Sequence, residues 1–463
     1  MSLTGLLFVF AFATGCLLAF VRHPIFGLVA YVGAFYLHPP SRWWGQGLLL
    51  NVRWSLIAAA VTLIAIAVHR QRLVQPATPF YRQNLIVGLG LLILWIAVQS
   101  FWALDPQSHA ELLSYYLKFA VVMYMIYRCV DTEQHLRWFL WSHVLGCFYL
   151  GWIAYSSYGG GRFEDFGGPG IGEANAGALQ LATGVLVGGA LFLAGDKRIK
   201  AALVLIMPII VNGIVTTISR SGFLAMAVGG LMFNLFTPKK FRFPVRALSV
   251  LAVVLFLMLT GDTYWERIGT IKYRGAAVEG VDTGGGRLDI IRAQWQMFQS
   301  RPMGCGHMCT TVLSPSYLGE SFLVEGGRAS HNTFMTMLVD HGIPGVVAYV
   351  LVALWSYRRL SGLLKTYRNS EGFLPIFFPA IAGSLGAIFI ADMFVQYPKL
   401  EARFWFLAIL LVLSGWAMKR QAEASSAEEP TDVRRQRAVD HQGRKPVRQR
   451  ARADQQRETH PAE

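Results

Sequence analysis

The sequence predicts an all-α polytopic membrane protein, and three observations support that fold class. Hydrophobic residues make up 54% of the 463 residues and charged residues only 15%, whereas soluble domains contain about 25% charged residues. Apolar runs recur along most of the chain at close to the length of a membrane span, which is about 20 residues for a helix. Walker-type phosphate loops, zinc-finger spacings and His-Glu-x-x-His motifs do not occur in the sequence. This argues against ATPases, nucleic-acid-binding proteins and the common zinc hydrolases.

Thirteen apolar segments are candidate spans, and we expect 12 or 13 transmembrane helices. The segment at 24–38 is short, and Gly342 and Pro344 interrupt the start of the eleventh, so these two are the weakest predictions. The segment at 3–20 lacks the basic start of a secretion signal, and we keep it as a helix. The segments lie at residues 3–20, 24–38, 54–69, 85–104, 112–130, 137–156, 174–194, 201–217, 221–236, 244–260, 344–357, 374–395 and 403–418.

The basic residues indicate how these segments are oriented. Lys and Arg concentrate in the links after the odd-numbered segments, and the positive-inside rule assigns such links to the cytoplasm. The net charge of +15 is therefore read as topology and not as a nucleic-acid partner. The connection at 261–332 then lies in the periplasm, and apolar spacing within 288–298 predicts a helix there. The cytoplasmic links contain Arg70, Arg72, Arg82, Lys197, Arg198, Lys239, Lys240, Arg358 and Arg359.

Two regions follow from this topology. Residues 1–418 form a transmembrane domain that includes the periplasmic connection at 261–332. Residues 419–463 are rich in both charges and poor in large apolar residues, which predicts a basic, disordered cytoplasmic tail. This tail is either a solvated end of the chain or a segment that touches anionic lipid headgroups.

Three polar residues from distant parts of the sequence are predicted to lie on the same outer face. Arg220 is in the tight link between segments 8 and 9, Arg287 follows Gly284–Gly286 in the long connection, and His331 ends that connection. A glycine turn before a helix exposes backbone N–H groups suited to phosphate. Guanidinium groups bind phosphate oxygens through two parallel hydrogen bonds, and an imidazole accepts a proton near neutral pH. The three residues could therefore hold a diphosphate and supply a base.

Each of these residues also has a simpler interpretation. Arg220 could extend to a lipid headgroup, and Arg287 could pair with Asp289 or Asp282. His331 could cap the helix that follows it, although Ser330 or Asn332 would be the more usual cap.

Four other features are secondary candidates. Arg162 lies in an outer loop that is either a plain connection or a lid on the substrate, and Asn332 beside His331 could contact the same substrate. Lys118 is a costly charge within an apolar segment unless it reaches the interface or a cavity. Cys305 and Cys309 could form a local disulfide in an oxidising compartment. With His307 they could instead contribute to a metal site, although a closed zinc site needs a fourth ligand.

Two motifs resemble those of the O-antigen ligase family of bacterial membrane glycosyltransferases. They are Ile218-Ser219-Arg220-Ser221-Gly222, and the stretch from Ser330-His331-Asn332 to Asp340-His341-Gly342-Ile343-Pro344-Gly345. The resemblance covers roughly residues 85–418, while the region through Arg72 is similar to exosortase-associated O-glycosylation ligases. Asp340 stands where many members have Glu.

The resemblance implies a GT-C-like glycosyltransferase of the bacterial inner membrane with its active site facing the periplasm. Its donor would be a glycan on undecaprenyl diphosphate and its acceptor a hydroxyl of lipid A–core. His331 would be the catalytic base, and Arg220 and Arg287 would bind the diphosphate; Arg292 on the same predicted helix is the alternative to Arg287. A single displacement would invert the anomeric centre. Because no Asp-x-Asp motif occurs in the sequence, the reaction is expected to need no metal, and no cofactor is expected. The alternatives are an O-antigen polymerase, a protein O-oligosaccharyltransferase or, outside this chemistry, a transporter using Lys118.

Overall fold

The computed structural model describes residues 2–261, 265, 287–323 and 325–428. Within these ranges the chain is helical and contains no strand, which confirms the predicted all-α class. Gly284–Gly286 and most of the predicted tail lie outside the described residues. The described helices are α1 (Leu3–Val21), α2 (Ile25–Leu37), α3 (Trp54–Val68), α4 (Asn84–Gln99), α5 (Pro106–Cys129), α6 (Glu133–Ser156), α7 (Ala174–Ala194), α8 (Lys197–Thr216), α9 (Arg220–Phe236), α10 (Arg242–Leu259), α11 (Arg287–Ser300), α12 (Cys309–Tyr317), α13 (Thr333–Thr366), α14 (Leu374–Ala391) and α15 (Glu401–Glu428).

Seven stretches among the described residues are long and apolar enough to cross a membrane, and α3, α4 and α9 are shorter apolar helices. The chain is therefore a multi-pass membrane protein. Most predicted segments coincide with a helix to within a few residues, because the apolar runs that mark spans also end at capping and charged residues. The seven are Leu3–Val21, Ala174–Ala194, Lys197–Thr216, Lys239–Leu259, Thr333–Thr366, Leu374–Ala391 and Glu401–Ala422.

Contacts between the links join links that the alternating topology predicts to lie on the same face of the membrane. Arg42, after α2, donates from Nη2 to the Phe166 carbonyl after α6 at 2.7 Å. At the other end of the helices, the Asp131 carboxylate after α5 lies 3.5 Å from His23 after α1 and accepts from the Val74 amide after α3. In these contacts, links after even-numbered helices and links after odd-numbered helices do not mix.

Close helix packing places the start of α9 in the interior. A Cβ atom on Gly229 of α9 would lie 3.0 Å from the Gly383 carbonyl oxygen of α14, and one on Gly383 would lie 2.5 Å from the Gly229 oxygen. Only glycine allows the two backbones to approach this closely, as in other membrane helix pairs. In the first turn of α9, a Cβ on Gly222 would lie 2.5 Å from the Ala178 Cβ of α7.

The eleventh predicted segment, with its interrupted start at Gly342 and Pro344, is part of α13, which begins at Thr333 and has non-helical backbone angles at Gly342. Pro344 has no N–H to donate to the Asp340 carbonyl, the partner of the normal helical hydrogen bond. That carbonyl instead accepts from the Gly306 amide at 2.9 Å and from Gln99 Nε2 at 3.2 Å. The loop at 301–306 and α4 thus satisfy the broken turn and fix the outer segment of α13.

The last helix extends beyond its predicted end. Residue 418 was the expected boundary, but α15 continues to Glu428 because residues 419–428 are rich in Ala, Glu, Lys, Arg and Gln, which favour helix. The chain divides after Ser414 into two units, and the candidate site lies in the first.

Candidate active site

Arg220 is the first residue of α9 and is held by a side-chain cap. The Ser219 hydroxyl accepts from the Gly222 amide at 3.0 Å, which satisfies an N–H group at the helix start. The same hydroxyl donates to Asn175 Oδ1 on α7 at 2.6 Å. Ile218 just before the cap has φ of 44°, a conformation that is unusual for a β-branched residue. The backbone that presents the half-buried Arg220 is thus locally strained and tied to α7.

His331 lies one residue before the cap of α13, the position that Ile218 has relative to α9. Its φ of 49° is left-handed and its side chain is exposed. The helix cap is Asn332, whose Oδ1 accepts from the Met335 amide at 2.9 Å, so the capping interpretation of His331 is wrong. Asn332 is 5% exposed, and its Nδ2 donates to the Met393 carbonyl at 3.3 Å. Both ends of that amide are thus used in hydrogen bonds within the protein.

The loop between α14 and α15, residues 392–400, packs against the start of α13. The Thr333 amide donates to the Asp392 carbonyl at 2.7 Å, and the Ser330 amide donates to Gln396 Oε1 at 3.0 Å. His331 lies between these two attachment points. The α14–α15 loop therefore fixes the backbone on both sides of the histidine.

The same loop reaches α7 and α11. The Tyr397 hydroxyl donates to the Glu173 carboxylate, one residue before α7. Burial and the adjacent Glu173 raise the pKa of Tyr397 well above its ordinary value, so it remains a neutral hydroxyl at physiological pH. The Arg287 guanidinium lies 5.9 Å from the centre of the Phe394 ring, within the range of a cation–π contact.

Residues on α11 distinguish Arg287 from Arg292. Gln294 Nε2 donates to the Ser330 hydroxyl at 2.7 Å, so α11 is attached to the residue before His331. Arg292 is 77% exposed in its side chain and pairs with Asp289 at 3.3 Å. Asp289 therefore pairs with Arg292 and not with Arg287. Asp282, the other partner considered for Arg287, lies outside the described residues. This geometry favours Arg287 over Arg292.

Arg162 lies near the same loop. Its guanidinium pairs with Glu164 at 3.0 Å, and its positive charge also acts on Tyr397. Lys118, in contrast, is exposed, and its ammonium lies 5.1 Å from the Tyr115 ring.

The segments that contain the three main candidates are thus connected through one loop. Arg220 joins it through Ser219 and the start of α7, Arg287 through Phe394, and His331 through its two neighbours. An exposed imidazole and two guanidinium groups around a common loop can take up a proton and neutralise an anion.

A buried ion pair joins Asp392, the first residue of the loop, to Arg403 on α15, and it could not be identified from the sequence. Arg403 donates to Asp392 Oδ1 at 2.6 Å, and the Tyr349 hydroxyl donates to Oδ2 at 2.8 Å. Asp392 is fully buried and Arg403 is 6% exposed. Both residues lie near the ends of predicted apolar segments, where charged residues usually mark only the boundary of a span. A charged residue at such a position can nevertheless indicate a buried ion pair.

The cysteine pair forms a disulfide, and His307 between its members turns inward. Cys305 and Cys309 are bonded to each other. His307 Nδ1 lies 3.1 Å from Asp340 Oδ2, and its backbone amide donates to His109 Nδ1 at 3.0 Å. Because the sulfur atoms are used in the disulfide, this group is a structural junction between the loop at 301–308, α5 and α13 rather than a metal site.

One group of side chains has a spacing that could hold a metal: His23, Asp131 and His135. In the structure they bond to one another, with His135 Nδ1 lying 2.6 Å from Asp131 and the two imidazoles stacked at 4.0 Å. The Ile25 amide donates to His23 Nδ1, which leaves the proton on Nε2, where a metal would have to bind. This group lies in the links after α1 and α5 and in the first turn of α6, apart from the candidate active site.

Residues 201–350 match a family model described as O-antigen ligase. The matched range contains Arg220, Arg287 and His331. No curated protein matches the chain significantly.

Proposed function

We propose that this chain, whose residues 201–350 match a family model described as O-antigen ligase, transfers a glycan from undecaprenyl diphosphate to a hydroxyl of lipid A–core. The protein lies in the bacterial inner membrane, with the reaction on the periplasmic face and the C-terminus in the cytoplasm. Nucleotide sugars are not supplied in the periplasm, so a donor already activated as a lipid diphosphate suits a site on that face.

The observation that carries this proposal is the set of contacts around residues 392–400. They attach the segments of Arg220, Arg287 and His331, which are more than 40 residues apart in the sequence, to one loop. Three basic residues that only faced lipid headgroups would not need to be attached to the same loop.

In the proposed reaction, the acceptor hydroxyl attacks the anomeric carbon of the donor sugar. His331 takes the hydroxyl proton as the new glycosidic bond forms, which is general base catalysis. The bond from the anomeric carbon to the diphosphate oxygen breaks, and its electrons leave with the lipid diphosphate. Arg220 and Arg287 stabilise the charge that develops on this leaving group. A single displacement inverts the anomeric centre.

Arg162 is placed at the edge of this site as a further contact for the glycan or diphosphate. Its pairing with Glu164 and its influence on Tyr397 support a position beside the loop. Asn332 acts through the backbone that it caps and not through the substrate.

The acceptor separates this function from two alternatives of the same chemistry. A polymerase adds the glycan to a growing chain, and a protein O-oligosaccharyltransferase adds it to Ser or Thr; the similarity of the first 72 residues to O-glycosylation ligases favours considering the latter. Lipopolysaccharide from a deletion strain distinguishes them. A ligase predicts intact core without a long-chain ladder, a polymerase predicts core carrying one repeat unit, and a protein glycosylation enzyme predicts a normal ladder.

The proposed mechanism uses side chains alone and no metal. Purified protein with lipid-linked donor and acceptor should transfer glycan equally well in EDTA and in Mg²⁺. Activity that EDTA abolishes and one divalent cation restores would overturn this part of the mechanism.

A further inference from the structure

A cleft of about 610 Å³ lies at the far ends of the two helices that begin at the candidate active site. From Arg220, α9 ends at Phe236, and from Thr333, α13 ends at Thr366. The links that follow these two helices form the cleft walls. Its volume is in the range of about 300–1,000 Å³ typical of small-molecule sites.

The cleft is basic. One link contributes Lys239 and Lys240, and the other contributes Arg368 with a single acidic residue, Glu371. Among the residues that the structure describes, none of these three cations forms an ion pair. Three cations from two separate links around one concavity leave an excess positive charge, which suits an anion such as a phosphate ester.

The depth of the cleft points to a lipid phosphate. Three of the apolar stretches that can cross a membrane end there: Lys239–Leu259, Thr333–Thr366 and Leu374–Ala391. Residues at span ends lie at the level of lipid headgroups, about 15 Å from the bilayer centre. An anionic lipid already occupies that depth, whereas a soluble anion would have to enter from bulk water.

The surface beside the cleft suits acyl chains. Only Val245 is buried along α10, the helix that leads away from Lys240. Phe243 is 84% exposed and Met258 is 77% exposed. This helix therefore offers the bilayer an apolar wall that continues from the basic cleft. A ligand with an anionic head and hydrocarbon tails matches both parts.

We infer that this cleft binds the headgroup of an anionic glycerophospholipid, with the acyl chains along α10. In the proposed topology the lipid belongs to the cytoplasmic leaflet, where basic pockets between helices bind such headgroups. The inference concerns the end of the molecule away from glycan transfer, and its failure would leave the proposed reaction untouched.

The test measures how tightly the purified full-length protein retains phosphatidylglycerol or phosphatidylcholine by native mass spectrometry. Phosphatidylglycerol should bind more tightly. Lys239→Ala/Lys240→Ala should weaken it by about fivefold for each lysine removed, and Arg368→Gln by a similar factor. The matched control is Lys197→Ala/Arg198→Ala, a pair of exposed basic residues at the start of α8 on the same predicted face, which should change the affinity less than twofold.

Three results would overturn the inference. They are equal weakening in the control pair, unchanged affinity in both cleft variants, and equal affinity for the two lipids. Inorganic phosphate that displaces phosphatidylglycerol at millimolar concentration would show a site for a soluble anion instead. Thermal unfolding without added lipid checks that each variant is folded, and Arg368→Gln provides the test if the double lysine variant does not fold.

Discussion

Replacing Arg403 by methionine should strongly lower the stability of the protein, because it breaks the buried ion pair that holds the start of the α14–α15 loop. The substitution keeps most of the side-chain volume but removes the charge that faces Asp392 at 2.6 Å. Asp392 is fully buried, so its carboxylate would keep only the Tyr349 hydroxyl as a described side-chain partner. Breaking a buried pair in this way costs about 3–5 kcal/mol, because a buried charge loses its compensation.

Such a loss lowers the folding equilibrium constant by about two to four powers of ten. It should also reduce glycan transfer, since the Asp392 carbonyl holds the Thr333 amide beside His331. Unfolding of the purified protein, followed in detergent by heat or denaturant, measures the first effect, and transfer from a lipid-linked donor measures the second.

The chain offers a matched control in Arg292→Met. Arg292 also pairs with an aspartate, at 3.3 Å, but its side chain is 77% exposed, and exposed pairs contribute about 0–1 kcal/mol. The double variant Asp392→Asn/Arg403→Met removes both charges and should cost less than the sum of the two single variants. An Arg403→Met protein as stable as Arg292→Met, or strict additivity in the double variant, would refute the assignment.

The other predictions address the proposed site and one titrating group. His331→Ala and His331→Asn should both lower turnover by about 10²–10⁴-fold, the usual contribution of a general base. The Asn variant should keep wild-type thermal stability because Asn tolerates left-handed backbone, and normal turnover in it would exclude a base at this position. Arg220→Lys should impair transfer nearly as much as Arg220→Ala, since lysine lacks the planar fork; full activity of the Lys variant in a ligation assay would contradict the diphosphate role. Burial alone would raise the pKa of Asp131, but hydrogen bonds from His135 and His23 hold it well below its ordinary value. Its contribution to stability is therefore present above about pH 3.9 and lost as the pH falls below that value. Asp131→Asn should lower the melting temperature at pH 7 and by less at pH 3, and a deficit that grows on acidification would contradict this sign.

The helices could be predicted from the sequence because a membrane span needs an apolar run of fixed minimum length. Arg220 and His331 could be found as polar residues next to such runs. Arg287 could be selected only with the help of a helical pattern in the long connection, and its preference over Arg292 depended on the contact with Phe394.

The α14–α15 loop could not be predicted as the support of the site. Residues 392–400 have no periodicity, and their contacts with Thr333, Ser330 and Glu173 join positions 60 to more than 220 residues apart. The partners of the break in α13 could not be predicted for a related reason. Pro344 disfavours a continuous helix, but the groups that bond to the Asp340 carbonyl at the break, the Gly306 amide and the Gln99 side chain, come from distant parts of the sequence.

Arg220 and Arg287 each occupy the first position of a helix, and this has a consequence for how the protein can be altered. The N-terminal end of a helix favours acidic residues, and a cation there is unfavourable by about 0.3–1 kcal/mol. Selection for heat resistance alone would place Asp or Glu at both positions and would thereby put two negative charges where a diphosphate is to bind. In this protein thermostability and activity therefore compete at the same two residues, and stabilising substitutions should be sought away from these helix starts.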